Sequence, residues 1–193
     1  AKKSNRNTRG RIVSAAWKLF YEQGYEDTTV EEIIELSGTS KGSFYHYFDG
    51  KDALLSTLSS LFDEKYEELT GLLTPEMTAM EQLLFLNREL FHMIEDSISL
   101  DLLARLYSTQ LTTNGEKHLL DHNRTYYKLL RKIIAKGQSE GQLSSRSNVN
   151  EMVKLYALCE RALLYDWCLC AGEYALTEYS AKVLPGFLSS FLP

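Results

Sequence analysis

Ten residues, TSKGSFYHYF at positions 39–48, gather groups that could do chemistry at a phosphate-rich surface. Ser40 and Ser43 are short donors, and Lys41 is a long cation that can donate to guanine O6 and N7. Gly42 has no side chain, so a helix backbone carrying it can close on base edges, at a cost of about 1 kcal/mol in helix propensity. Tyr45, His46 and Tyr47 offer two hydroxyls and a ring N–H. Spread along a helix, such groups contact phosphates and fix register. Lys51 follows, at the start of the next helix, where free N–H groups and an ammonium suit a further phosphate. Phe44 and Phe48 are four residues apart and share the opposite, apolar face.

The elements that must position these residues are helical. In RGRIVSAAWKLFYEQGY, Ile12, Ala15, Ala16, Leu19 and Phe20 fall on one face, and Gly24 supplies a stop. In TTVEEIIELSG, Thr29 and Glu32 have capping-box spacing, Val30, Ile33 and Ile34 face inward, and Gly38 ends the helix. Thr39 or Ser40 then caps a third helix reaching about Phe48. Asp49 is placed to cap the next. Three short helices, the last two joined by a Gly-containing turn, make a helix-turn-helix.

The stretch from GYEDTTVEEIIELSG through TSKGSFYHYF to GKDALL closely resembles the N-terminal domain of the tetracycline-repressor-like (TetR) family of bacterial transcription regulators. The pattern runs over residues 9–56. The resemblance implies an all-α homodimer, with a DNA-binding domain at residues 1–50 and a larger effector-binding and dimerisation domain at residues 51–193. It makes Lys41 and Gly42 base contacts, and Ser40, Ser43, Tyr45, His46, Tyr47 and Lys51 contacts to base or phosphate. Thr29 becomes a phosphate contact through its hydroxyl and the helix N-terminus. The basic arm ahead of Arg11 has the composition of an accessory contact.

From Lys51 onward the pattern is long helices with no strand alternation, giving about nine helices in all. One is expected over 51–72, with Leu54, Leu58, Leu61, Phe62 and Leu69 inward. Pro75 suits the first turn of a helix over 75–96. SLDLLARLYSTQL and GEKHLLDHNRTYYKLLRKIIAKGQSEG give the next two, and residues 149–171 and 175–192 the last two. By the resemblance, these last two pair with their copies in a partner chain. Val183, Leu184, Phe187, Leu188 and Phe191 make an apolar stripe that either this bundle or the chain's own core could use. Pro185 should kink or split the final helix.

Phe85, Phe91, Met93, Leu103, Tyr107, Tyr126, Tyr156 and Trp167 are the candidate lining of a ligand pocket, and each also suits a plain core. His118 and His122, four apart around Asp121, could share a helix face but lack a third ligand, so no metal or other cofactor is assigned. Cys159, Cys168 and Cys170 read as free thiols, since Cys159 and Cys170 would lie about 16 Å apart along a helix.

Charge fits a two-part chain. The net charge is −5, yet residues 1–50 carry seven basic and seven acidic groups, with six of the basic ones in the first twenty residues. One end is suited to meet an anion. No signal-peptide pattern and no run of 18 apolar residues is present, which points to a cytosolic protein. No Ser-His-Asp arrangement or phosphate loop argues for an enzyme. The reading is a non-enzymatic, ligand-responsive repressor binding operator DNA as a homodimer. The alternative is an all-helical small-molecule carrier or enzyme without DNA binding.

Overall fold

The computed structural model describes residues 2–112 and 117–193, with side chains from Thr8 onward. The side chains of Lys2, Lys3 and Arg6 in the basic arm, and residues 113–116, lie outside the described residues. Among the described residues there are ten α-helices and no strand. They are α1 (Lys2–Gln23), α2 (Val30–Ser37), α3 (Lys41–Tyr47), α4 (Lys51–Leu55), α5 (Leu58–Thr70), α6 (Ala79–Ser97), α7 (Leu100–Thr112), α8 (Thr125–Ser139), α9 (Val149–Leu169) and α10 (Leu176–Leu188). Short 3-10 turns cover His118–Leu120 and Ser189–Phe191. None of these helices is long and apolar enough to cross a membrane.

Two cores form. The first collects Ile12, Ala16, Phe20, Ile33, Phe44, Phe48, Leu54 and Leu55 from α1–α4. The second begins at Leu58 and fills the space between α5, α6, α8, α9 and α10. Helix α7 belongs to both: Leu102 is buried in the first core, Leu103 and Leu106 in the second.

Several expectations need correction. The helix expected over 51–72 is split after Leu55. The hydroxyls of Ser56, Thr57 and Ser59 donate to the carbonyls of Ala53, Leu54 and Ser56, and such back-bonding loosens a helix ladder. Trp17 adds to this, donating its indole N–H to the Thr57 hydroxyl at 2.8 Å. Leu61 is exposed rather than inward. Asp49 does not cap α4, whose N-cap is Gly50.

Pro75 lies in the turn before α6, which starts at a Thr78–Glu81 capping box. The helix expected from Gly115 begins only at Thr125, because Asp121 accepts the Asn123 N–H and holds a turn there. His118 and His122 therefore share no helix face, and His122 stacks on Tyr127 at 4.6 Å. Helix α10 is not split at Pro185, which sits inside it on the exposed side. Of the two uses open to the α10 stripe, Leu184, Leu188 and Phe191 take the second and are buried in the chain's own core.

Candidate nucleic-acid interface and effector cavity

Local chemistry fixes α2 and α3. The Thr29 hydroxyl accepts the Glu32 N–H at 3.2 Å, and the Glu32 carboxylate accepts the Thr29 N–H at 2.7 Å. That backbone donation, with the Thr29 and Gln23 side chains, holds the Glu32 carboxyl below its ordinary range. Gly38 closes α2 at φ +60, and a Cβ there would sit 2.8 Å from the Arg11 guanidinium. Arg11 needs that space: it donates to the Ser37 carbonyl and, at 2.8 Å, to the Gly38 carbonyl, a cation at a helix C-terminus. Ser40 then caps α3, its hydroxyl accepting the Ser43 N–H at 3.1 Å.

Helix α3 has two faces. Phe44 and Phe48 are buried in the first core, with Arg9 lying 5.5 Å over the Phe48 ring. Lys41, Gly42, Tyr45 and His46 are exposed, and Ser43 and Tyr47 half-buried. Tyr45 leans edge-on to Phe44, and His46 edge-on to Tyr47. A Cβ added at Gly42 meets nothing within 4 Å. The chain's own packing thus gives no reason for glycine there, whereas at Gly38 both backbone and neighbour require it. The Lys41 ammonium rests 3.4 Å from Glu31, with both ends exposed. Such a pair contributes about 0–1 kcal/mol, so Lys41 leaves it easily.

Lys51 is placed differently from the expectation that its ammonium grips phosphate. It donates to the carbonyls of Tyr25 (2.6 Å), Glu26 (3.2 Å) and Thr28 (2.9 Å) and lies 4.3 Å from the Tyr25 ring centre. An ammonium has three donors, and all are used. Lys51 staples the α1–α2 turn to α4. The same turn is held from α7: Arg105 pairs with Glu26 at 2.7 Å and with Asp101 at 2.9 Å, and stands 4.9 Å over Tyr25.

In the second core, a cavity of about 50 Å³ is lined by residues including Phe62, Tyr66, Tyr107, Tyr126, Glu160 and Arg161. Of the eight expected lining residues, Tyr107 and Tyr126 reach it. Phe91, Leu103, Tyr156 and Trp167 are buried core side chains, and Met93 packs against the core. Phe85 lines a separate groove between α6 and α10, with Arg88 over its ring at 5.5 Å.

A buried polar group that sequence reasoning missed is Glu160. It accepts from Asn87 at 2.8 Å and from the Tyr126 hydroxyl at 2.6 Å. Burial pushes its carboxyl above the ordinary range. A signal existed: Glu160 falls four residues after Tyr156, on the inward face of α9. Asn87 in turn accepts from Ser180, so a buried polar chain joins α10, α6, α9 and α8.

The three thiols are free; Cys159 is buried, and Cys168 and Cys170 half-buried. Burial raises Cys159 and Cys168 to about 11, so both stay protonated at neutral pH. On the outer face of α9, Leu158, Ala162, Tyr165 and Leu169 form an exposed stripe at helical spacing.

These features define a class: a helix-turn-helix unit with an exposed polar face on its last helix, joined to a helical domain with a cavity in its core. Residues 12–58 match the family model described as bacterial regulatory proteins, tetR family. The regulator QacR of Staphylococcus aureus is 36% identical over 62 residues, covering 32% of this chain and 33% of that protein. The fatty acid metabolism regulator protein of Bacillus subtilis is 23% identical over 178 residues, 90% of each chain. The crystal structure of Thermus thermophilus FadR, a TetR family transcriptional repressor, in complex with lauroyl-CoA has a TM-score of 0.77 at 26% identity, covering 96% of this chain and 95% of that one. For the first curated relatives, matched over the N-terminal part, the chain covers 22–33% of their own length.

Proposed function

We propose that this chain is a sequence-specific DNA-binding transcriptional repressor, acting as a homodimer on a palindromic operator and released by a small-molecule ligand. The observation that carries the reading is Gly42, a glycine without an intramolecular reason on the exposed face of a capped, core-anchored helix. Helix α3 enters the major groove with Lys41 and Gly42 at the base edges. Ser40, Ser43, Tyr45, His46 and Tyr47 hold base or phosphate on either side, and Thr29 holds phosphate at the start of α2. Lys51 contributes by fixing the α1–α2 turn rather than by its charge.

The two reading helices must meet grooves about 34–36 Å apart, or a multiple of that. The unpartnered stripe on α9, with the outer face of α10, supplies the surface that sets this separation. The boundary between the DNA-binding and effector units lies at the α4–α5 break rather than after residue 50, since Leu54 and Leu55 belong to the first core. Helix α7 links them: Tyr107 walls the cavity, while Leu102 and Arg105 hold the DNA-binding unit. A ligand that shifts α7 biases the spacing of the reading helices, and a preference of a few kcal/mol for the released form is enough. The protein works by binding, not catalysis, in the bacterial cytoplasm.

A mobility-shift assay with the DNA flanking the chain's own gene tests this. Binding is expected to weaken steeply with salt. Lys41→Ala should relax specificity at one base position, and Tyr47→Phe should weaken binding to all sequences alike. No shift at low salt, or both variants binding as the parent does, would overturn the reading.

A further inference from the structure

Among the described residues, Glu160 is a buried acid in no ion pair. It is 4% exposed, and the donors it accepts from, Asn87 and Tyr126, are neutral. Of the two arginines at the same cavity, Arg161 acts on the Glu160 carboxyl by its charge without forming an ion pair with it, and both make their hydrogen bonds elsewhere. Arg124 forks onto Asp63 at 2.9 and 3.2 Å and donates to the Ser59 carbonyl at 3.0 Å. Arg161 donates to the Tyr127 hydroxyl at 3.2 Å. Left alone out of water such a carboxyl keeps its proton, and a cation placed beside it lets it ionise.

A second, independent observation points into the same space. The Tyr66 hydroxyl is fully buried and has no hydrogen-bond partner among the described residues. Its ring stands 5.0 Å from that of Tyr126, and both line the cavity with Phe62 and Tyr107. Native structures leave few buried hydroxyls unpaired, and one that lines a cavity marks where a polar atom of a ligand belongs. Aromatic faces around a carboxylate are also the surroundings that stabilise a desolvated organic cation.

We infer that the effector cavity is a site for an organic cation with an apolar body, with Glu160 as its counter-ion, Tyr66 as its hydrogen-bonding or dipolar contact, and the rings of Phe62, Tyr107 and Tyr126 as its walls. The inference rests on reading the C-terminal helices as an effector domain and names the ligand class of that domain. At about 50 Å³ the cavity is smaller than any such ligand, so binding has to push the walls apart. One wall is Tyr107 on α7, the helix that carries Leu102 and Arg105 to the DNA-binding unit. The cation therefore enters by displacing the connecting element.

The test uses the full chain and three probes with one apolar body: 4-phenylbutyltrimethylammonium, 4-phenylbutanol and 4-phenylbutyrate. Calorimetry at neutral pH is expected to show the cation binding at least tenfold tighter than the other two. Glu160→Gln should bring the three within about threefold of one another, and Tyr66→Phe should weaken the cation severalfold while leaving the melting temperature equal or higher. The Tyr66→Phe arm keeps the test decisive should Glu160→Gln fail to fold. Equal or tighter binding of the alcohol or of the butyrate (the outcome Arg161 would favour), binding by none of the three, or a cation preference that survives Glu160→Gln overturns the assignment. DNA binding is measured on the same samples without probe. DNA binding with no cation preference overturns the ligand class alone, whereas cation binding with no DNA binding overturns the regulator reading alone.

Discussion

Replacing Gly42 by alanine sets the fold's needs against those of the DNA contact. The site is in the first turn of α3, and the new methyl meets no atom within 4 Å. Alanine gains about 0.5–1 kcal/mol over glycine in a helix, so the variant should be more stable by that amount. For a chain of this length that is a rise of about 1–4 °C in melting temperature. Dimer unfolding depends on concentration, so parent and variant are compared at one protomer concentration. On DNA the sign reverses. If the methyl holds α3 off the bases far enough to lose one bidentate contact per half-site, each loss costs about 1–3 kcal/mol. Two half-sites lose at least about 2 kcal/mol, about thirtyfold in affinity. Thermal melts and fluorescence anisotropy on a labelled operator measure the pair. Operator affinity within threefold of the parent would refute the close-approach role of Gly42. A fall in stability would show that the fold itself needs the glycine.

Leu158→Arg places a charge on the exposed apolar stripe of α9 and should shift the dimer toward monomer at micromolar concentration in sedimentation velocity; an unchanged dimer would remove that stripe from the interface. Arg105→Ala breaks the pair with Glu26 and should cost under about 1 kcal/mol in urea unfolding while altering operator affinity at least threefold. Unaltered operator affinity would sink the link through α7. For Glu160, burial raises the folded-state pKa above the unfolded value of about 4.3. The folded chain therefore holds this proton more readily, a contribution fully present below that value and lost as pH rises through the folded pKa. Relative to Glu160→Gln, parent stability should fall as pH increases from about 4.3; parallel profiles would refute the buried, strained acid.

Much of the N-terminal unit was legible because its determinants are local. Thr29 and Glu32 are three residues apart, Ser40 caps the next turn, and Phe44 and Phe48 declare the buried face by spacing alone. What escaped depends on partners distant in the chain. The α4–α5 break involves Trp17 reaching Thr57, forty residues on. The spending of the Lys51 ammonium on the carbonyls around Tyr25 is set by how α1 and α4 pack. In the C-terminal unit, periodicity separated most inward from outward residues, Leu61 excepted, but did not separate cavity wall from solid core. Phe91 and Tyr156 have the same pattern as Tyr107 and Tyr126, and only packing decides which of them leave a void. The Thr78–Glu81 capping box was as readable as that of Thr29–Glu32, yet Pro75 drew the helix start four residues too early. The apolar stripe of α10 was legible but its partner was left open between a second copy and the chain's own core; it packs on α6 and α9 of the same chain.

Selection of binding sites from a random duplex library by the purified full chain tests the central claim most directly. The account predicts enrichment of an inverted repeat whose half-sites are about one helical turn, or a multiple of it, apart. It also predicts that Lys41→Ala selects the same repeat with one position per half-site relaxed. Failure to enrich any sequence, enrichment without two-fold symmetry, or an identical motif from Lys41→Ala would contradict it.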